Sequence, residues 1–132
     1  MKRRAPFATH DDQFFWDGVA AGELRLQRCA KCLKLRHPPG PMCPHCHSLE
    51  WRIERASGRG SVYSYVIPRH TAIDSGGDPV IVALIELEEG ARLVSNLCEV
   101  APDAVRNGMA VEVFFTEFED GVRLHQFRPA GR

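Results

Sequence analysis

Four of the five cysteines form two Cys-x-x-Cys pairs, Cys29-Ala30-Lys31-Cys32 and Cys43-Pro44-His45-Cys46, separated by ten residues. Each pair suits a tight turn, and the stretch His37-Pro38-Pro39-Gly40-Pro41 between them is a short excursion that can bring four thiolates round one point. A tetrahedral Zn²⁺ accepts such a shell with Zn–S bonds of about 2.3 Å, and four protein ligands leave no position for water or substrate. The spacing therefore predicts a structural metal site rather than a catalytic one. Arg28, Lys31 and Lys34 flank the thiolates and offset their negative charge. Iron also suits an S₄ shell. Two disulfides would use the same four residues in an oxidising compartment. With the shell complete, His37, His45 and His47 are read as bystanders.

Other reactive side chains are few. His70 follows Pro68-Arg69 and borders a loop carrying Gly76-Gly77, a position expected at the mouth of a barrel. His125 falls in the middle of a strand pattern, and Cys98 ends an apolar strand, where a small buried hydrophobe is expected. No Ser/His/Asp set, Gly-rich phosphate loop or paired-carboxylate motif stands out, so no catalytic residue is assigned. Tyr63, Tyr65, Phe114 and Phe115 could stack nucleobases, as aromatics do in single-strand binders. At alternating positions in a small barrel they are expected in the core instead.

These residues must be positioned by three kinds of element. Residues 1–26 read as an extended arm followed by a helix over His10–Leu26, with Asp11 and Asp12 at its start and Phe14, Phe15, Trp16, Val19, Ala20 and Leu24 at helical spacings. Gly18 and Gly22 weaken that helix, which is expected to be short or broken near Gly22. Three adjacent aromatics cannot share one helix face, so Phe14, Phe15 or Trp16 is expected to meet a partner, unless all three pack back on the chain. Residues 27–57 form the zinc ribbon, closed by Ser57-Gly58-Arg59-Gly60. Residues 58–132 read as strands: Ser61–Arg69 with Tyr63, Tyr65 and Ile67 on one face and Val62 and Val66 on the other, then Val80–Leu87, covered on both sides, then Arg92–Leu97. A helical turn over Ala101–Arg106 precedes the strands Ala110–Phe118 and Val122–Phe127, joined by the hairpin signal Asp120-Gly121. Five strands with a helical turn between the third and fourth is the order of an OB-fold barrel. The fold class is mainly β.

Formal charge is zero, with 17 basic and 17 acidic residues, but it is polarised along the chain. Residues 1–59 hold eleven Lys/Arg against six Asp/Glu, and residues 60–132 hold six against eleven. Nucleic-acid binding rests on phosphate neutralisation by clustered cations, so an acidic barrel argues against that class. Met1-Lys2-Arg3-Arg4 is not followed by the apolar run of a signal peptide, and the run from Pro79 to Ile85 is too short to cross a bilayer. A cytoplasmic protein is the default expectation.

Taken together, Phe15-Trp16 with Gly22, Leu26-Gln27-Arg28-Cys29 with Cys32, Arg36-His37-Pro38-Pro39 with Pro41, Cys43-Pro44 with Cys46, Ser57-Gly58-Arg59-Gly60 with Val62, Ser64 and Tyr65, Asn107-Gly108 with Val111, and Phe127-Arg128-Pro129 resemble a known family. The chain is similar to the acyl-CoA-associated OB-fold proteins with an N-terminal rubredoxin-like zinc ribbon, domain-of-unknown-function family thirty-five. The resemblance implies a non-catalytic accessory subunit in a hetero-oligomer with a thiolase-superfamily enzyme, lipid-transfer-protein-like aldolases included, or with a MaoC-like hydratase. Arg36-His37-Pro38-Pro39 and Ser57-Gly58-Arg59-Gly60 resemble the forms associated with steroid side-chain degradation. A CoA ester is the implied ligand, and Arg36, Arg59 and Arg69 are the expected phosphate contacts.

Overall fold

A computed structural model describes residues 3–68 and 79–131, in the order one helix, three ribbon strands and five barrel strands. Helix α1 spans Gln13–Ala20. It is shorter than the expected His10–Leu26 for a local reason. Gly22 takes a positive φ of 79°, and a Cβ at Gly18 would lie 2.9 Å from the Glu23 carbonyl oxygen, so the chain folds tightly back on the helix there. Asp12 occupies the N-cap but its side chain does not cap the helix. Its carboxylate accepts from the Thr9 amide and hydroxyl instead, at 2.6 and 3.0 Å.

The ribbon is a three-stranded antiparallel sheet of β1 (Arg25–Cys29), β2 (Leu35–Arg36) and β3 (Trp51–Arg55), with β1 in the middle. Buried Gln27 on β1 accepts from the Gly40 amide at 2.9 Å and pins the Pro/Gly-rich excursion to the sheet. Across β1 and β3, Arg28 meets Glu54 through two charge-assisted bonds of 2.8 and 2.6 Å.

Strands β4 (Arg59–Val66), β5 (Val82–Leu87), β6 (Arg92–Asn96), β7 (Ala110–Glu117) and β8 (Arg123–Pro129) form an antiparallel sheet in the order β6-β5-β4-β7-β8. The sheet curls until its two edges meet. Leu97, just past β6, bridges Phe127 in parallel, and the Cys98 amide donates to the Phe127 carbonyl at 2.8 Å. This is the closed five-stranded OB-fold order, with a 3₁₀ turn at Pro102–Ala104 between the third and fourth barrel strands. Asp120 and Gly121 both take positive φ in the β7–β8 hairpin, as its turn requires.

The alternation expected in β4 breaks within the strand. Register shifts between Val62 and Ser64, and this bulge turns Tyr63 outward while Val62 and Tyr65 both face the core. Val66 points to solvent. Strand β5 is covered on one face by the core, through Ala83, Ile85 and Leu87, while Val82, Leu84 and Glu86 are only half-buried. It begins at Val82 rather than Val80.

One apolar cluster joins the helix, the ribbon and the barrel. Phe15 and Val19 of α1, Leu24 and Leu26 of the ribbon, and Val62, Ile85, Val111 and Phe127 of the barrel all belong to it. Burying each such large side chain contributes about 1.5–3 kcal/mol, so the three parts stabilise one another. No helix among the described residues is long and apolar enough to cross a membrane.

Candidate metal centre and the groove beside it

The four cysteines converge as their spacing predicts. Their sulfurs lie within 4.8 Å of one another, with Cys29 to Cys46 at 3.5 Å and Cys32 to Cys43 at 3.6 Å. A tetrahedron with bonds of about 2.3 Å has edges near these lengths. Two matching turns build the centre. In the first, the Leu33 amide donates to the Cys29 carbonyl at 3.1 Å and Leu33 takes a φ of 68°. In the second, the His47 amide donates to the Cys43 carbonyl at 2.9 Å and His47 takes a φ of 64°. The Lys31 and Cys32 amides each point at the Cys29 sulfur from 3.4 Å.

These amides prepare the sulfurs for a cation. Hydrogen bonds led by the Cys32 amide hold the Cys29 thiol down at about 6, and the Cys46 amide does the same in direction for Cys43. Cys32 moves the other way, to about 11: its Lys34 amide bond favours the thiolate but is outweighed by burial and by its sulfur neighbours. Four adjacent thiols cannot all ionise without a positive charge among them, and a bound metal supplies it. The donor set thus fits one zinc-type ion held by Cys29, Cys32, Cys43 and Cys46, which would cross-link both turns and leave no open coordination position. His45 and His47 are exposed on the second turn.

The three aromatics of α1 all turn back onto the chain. Phe14 rests on Trp51 of β3 with ring centroids 4.7 Å apart, and Phe15 is buried in the common core. Trp16 stands edge-on to Phe15 at 5.0 Å. Phe14 and Trp16 keep partly exposed edges.

Histidines unassigned by the sequence motifs meet here. The rings of His37, at the head of the excursion, and His125, on β8, approach Phe15 to 5.1 and 5.3 Å. The Nδ1 atoms of both are buried without a hydrogen-bond partner. Burial, reinforced by the neighbouring His37, pushes His125 down to about 4, against a hydrogen bond to the Val94 backbone that works the other way. Burial also lowers His37. A groove of about 530 Å³ lies beside this pair, with Trp16 and the Pro38-Pro39 turn facing the barrel strands. Its members are scattered over the chain, and no motif in the sequence ties them together.

The two described arginines expected to contact phosphate have different partners. Arg36 donates to the Gly40 carbonyl at 3.1 Å and keeps buried Nε and Nη1 atoms without partners. Arg59 meets Glu88 at 3.0 Å on the open surface. Arg69 lies outside the described residues, as does His70. Cys98 lines a second cavity, of about 610 Å³, with Phe114 and Phe118, and burial pushes its thiol up, away from the nucleophilic form. Guanidinium groups sit over three of the aromatics proposed for base stacking: Arg92 over Tyr63 at 3.8 Å, Arg128 over Phe114 at 5.0 Å and Arg123 over Phe115 at 5.7 Å. The fourth, Tyr65, packs against the core.

Comparison with known proteins matches both halves of this architecture. Residues 16–52 match the family model described as the ChsH2 rubredoxin-like zinc ribbon domain, and residues 54–116 match the ChsH2 C-terminal OB-fold domain. The chain is 44% identical over 128 residues to a probable enoyl-CoA hydratase alpha subunit of Thermomonospora curvata, covering 97% of this chain and 40% of that protein. It is 40% identical over 115 residues to the 3-oxo-4,17-pregnadiene-20-carboxyl-CoA hydratase alpha subunit of Mycobacterium tuberculosis, covering 87% and 37%. The chain therefore spans less than half the length of these two relatives. A DUF35 domain-containing scaffold protein of Methanothermobacter thermautotrophicus is 35% identical over 113 residues, covering 80% of this chain and 84% of that one. A solved structure described as an Ltp2-ChsH2(DUF35) aldolase contains a chain with 44% identity and a TM-score of 0.86, covering 96% of this chain and 99% of that one. Four clustered cysteines in a ribbon, followed by a closed five-stranded barrel and matched across both parts, place this chain in the DUF35 family, in its ChsH2-type form.

Proposed function

We propose that the chain is a non-catalytic accessory subunit that docks on and stabilises a thiolase-superfamily enzyme, a thiolase or retro-aldolase, acting on acyl-CoA esters. The observation that carries this reading is the near full-length likeness, at 44% identity and a TM-score of 0.86, to a chain of the Ltp2-ChsH2(DUF35) aldolase. Scaffold naming among shorter relatives supports it. The local chemistry agrees. Among the described residues, Cys98 is held in its thiol form and His125 is wedged between aromatic rings, so neither is poised as nucleophile or base.

In this reading the metal holds the ribbon rigid for the partner, and the exposed edges of Phe14 and Trp16 contribute to docking within residues 1–59, which hold eleven of the 17 Lys/Arg residues. The narrower version assigns the partner to lipid or steroid side-chain breakdown. It also gives Arg36, Arg59 and Arg69 contacts to the CoA phosphates. A MaoC-like hydratase is the other partner class, since relatives are named as hydratase alpha subunits.

The test is co-expression of the tagged chain with thiolase-like and MaoC-like enzymes. A stable complex with the first, and loss of that enzyme's activity or solubility when the chain is omitted, is the expected result. A partner that is fully active and stable alone would remove the reading.

A further inference from the structure

The cavity of about 610 Å³ that Cys98 lines lies on the other face of β8 from His125, because Gln126, the next residue along the strand, points into it. Phe114 and Gln126 are register partners across β7 and β8, on the face opposite to the one that gives Val113 and Phe127 to the core. Gln126 is nevertheless only 6% exposed. The other walls are Asn96 at the end of β6, the segment Pro79–Ile81 and, from the N-terminal arm, Arg3. The volume falls within the roughly 300–1,000 Å³ typical of small-molecule sites.

Hydrogen bonding inside this cavity is lopsided. Arg3 Nη1 donates to Asn96 Oδ1 at 3.1 Å, and Asn96 Nδ2 donates in turn to the Ile81 carbonyl at 3.3 Å. The Thr116 hydroxyl donates to Gln126 Oε1 at 2.7 Å. Both amide oxygens are therefore taken. The groups left over are donors: Gln126 Nε2 has no partner among the described residues, and neither has the buried Arg3 Nε. A buried N–H without an acceptor is costly, so a group that brings only acceptors is favoured over one that brings donors of its own.

Charge narrows the choice. Arg3 and Glu99 are the charged side chains that line the cavity. Glu99 lies 3.6 Å from Arg128, whereas Arg3 rests on a neutral amide and lies 5.3 Å from the centre of the Phe118 ring. Burial keeps Cys98 in its thiol form, so it adds no negative charge. One uncompensated positive charge matches one negative charge, which fits a carboxylate better than a phosphate dianion. Phe114 and Phe118 supply the apolar part of the lining, and ring–ring contact gives an aromatic body an attraction beyond area burial that an alkyl chain lacks.

We propose that this cavity binds an aromatic carboxylate, its two oxygens taking up the free donors of Arg3 and Gln126 and its ring lying against Phe114 and Phe118. The site is built by this chain alone and stands independently of the accessory role.

The experiment titrates the zinc-loaded full chain with 2-naphthoate, following the Gln126 side-chain amide and the Trp16 indole by NMR. Saturable shifts at Gln126 are expected, with Trp16 unmoved. The uncharged 2-naphthamide and the flexible aliphatic decanoate should each bind about tenfold more weakly or worse. Arg3→Glu, in an arm outside every helix and strand, should abolish binding. Arg4→Glu, the same charge change at the exposed neighbouring residue, should leave it unchanged. Absence of saturable shifts at Gln126 overturns the proposal, as does binding seen at Trp16 instead. Equal affinity for 2-naphthamide removes the carboxylate, equal affinity for decanoate removes the aromatic body, and equal weakening by the two arginine variants reduces the effect to general charge; each of these also overturns it.

Discussion

Phe15 on the helix meets His125 on the last barrel strand edge to face, ring centroids 5.3 Å apart, so the helix is fastened to the barrel by its most buried aromatic. Truncating Phe15 removes contacts to both histidines and to the shared core. Phe15→Ala should cost about 3–5 kcal/mol, measured by urea or thermal unfolding. Phe14→Ala, whose ring is half-buried on Trp51, should cost distinctly less.

The same contact makes stability sensitive to acid. His125 sits near 4 in the folded chain against an ordinary value of about 6.5, so the unfolded chain binds its proton first as pH falls. Its contribution is fully present above about pH 6.5, declines between 6.5 and 4, and is flat below. The span corresponds to about 3 kcal/mol, to which His37 adds in the same direction. Unfolding free energies at pH 7 and pH 4.5 should show this loss, and His125→Phe should flatten the slope.

Metal removal should not stay local. Cys29 is paired in register with Trp51, and the ribbon's Leu24 and Leu26 belong to the common core. Elemental analysis should give one zinc per chain. Chelation, or Cys43→Ser, should change Trp51 fluorescence and lower the unfolding temperature of the whole chain in a single transition. A barrel that melts unchanged without metal would show the ribbon to be energetically separate.

Gly58 is where a side chain cannot be added. Its φ is 85°, and a Cβ there would lie 2.4 Å from Val113 Cγ1 on β7. Gly58→Ala should destabilise by about 1–3 kcal/mol, and the double variant with Val113→Ala should recover part of that loss, the remainder being backbone strain. Denaturant midpoints of the four forms measure both parts.

The metal site was legible because it depends on short spacing: a Cys-x-x-Cys turn is a local object, and two of them find one ion. Strand order was legible from turn residues and apolar runs for the same reason. The face of Tyr63 was not, because a single inserted residue between Val62 and Ser64 resets the alternation on which strand reading relies. The break near Gly22 was legible from the glycines, whereas the apolar period running on to Leu24 hid the close approach of Glu23 to Gly18 that ends the helix at Ala20. The groove was invisible because Trp16, Pro38, Leu84, Val94 and His125 come together only through the fold.

Only residues 56–58 separate the last ribbon strand from the first barrel strand, and both ends of that link are bonded: the Ala56 amide to the Leu24 carbonyl at 2.8 Å, and the Val113 amide to the Gly58 carbonyl at 2.8 Å. A tether this short and this well held has no slack. A partner touching the ribbon therefore meets the barrel at a fixed distance and angle, and contacts at the two ends reinforce each other without the entropy loss that a loose tether would add. Lengthening the link by a few glycines would loosen the seat of the ribbon on the barrel and weaken that combined grip.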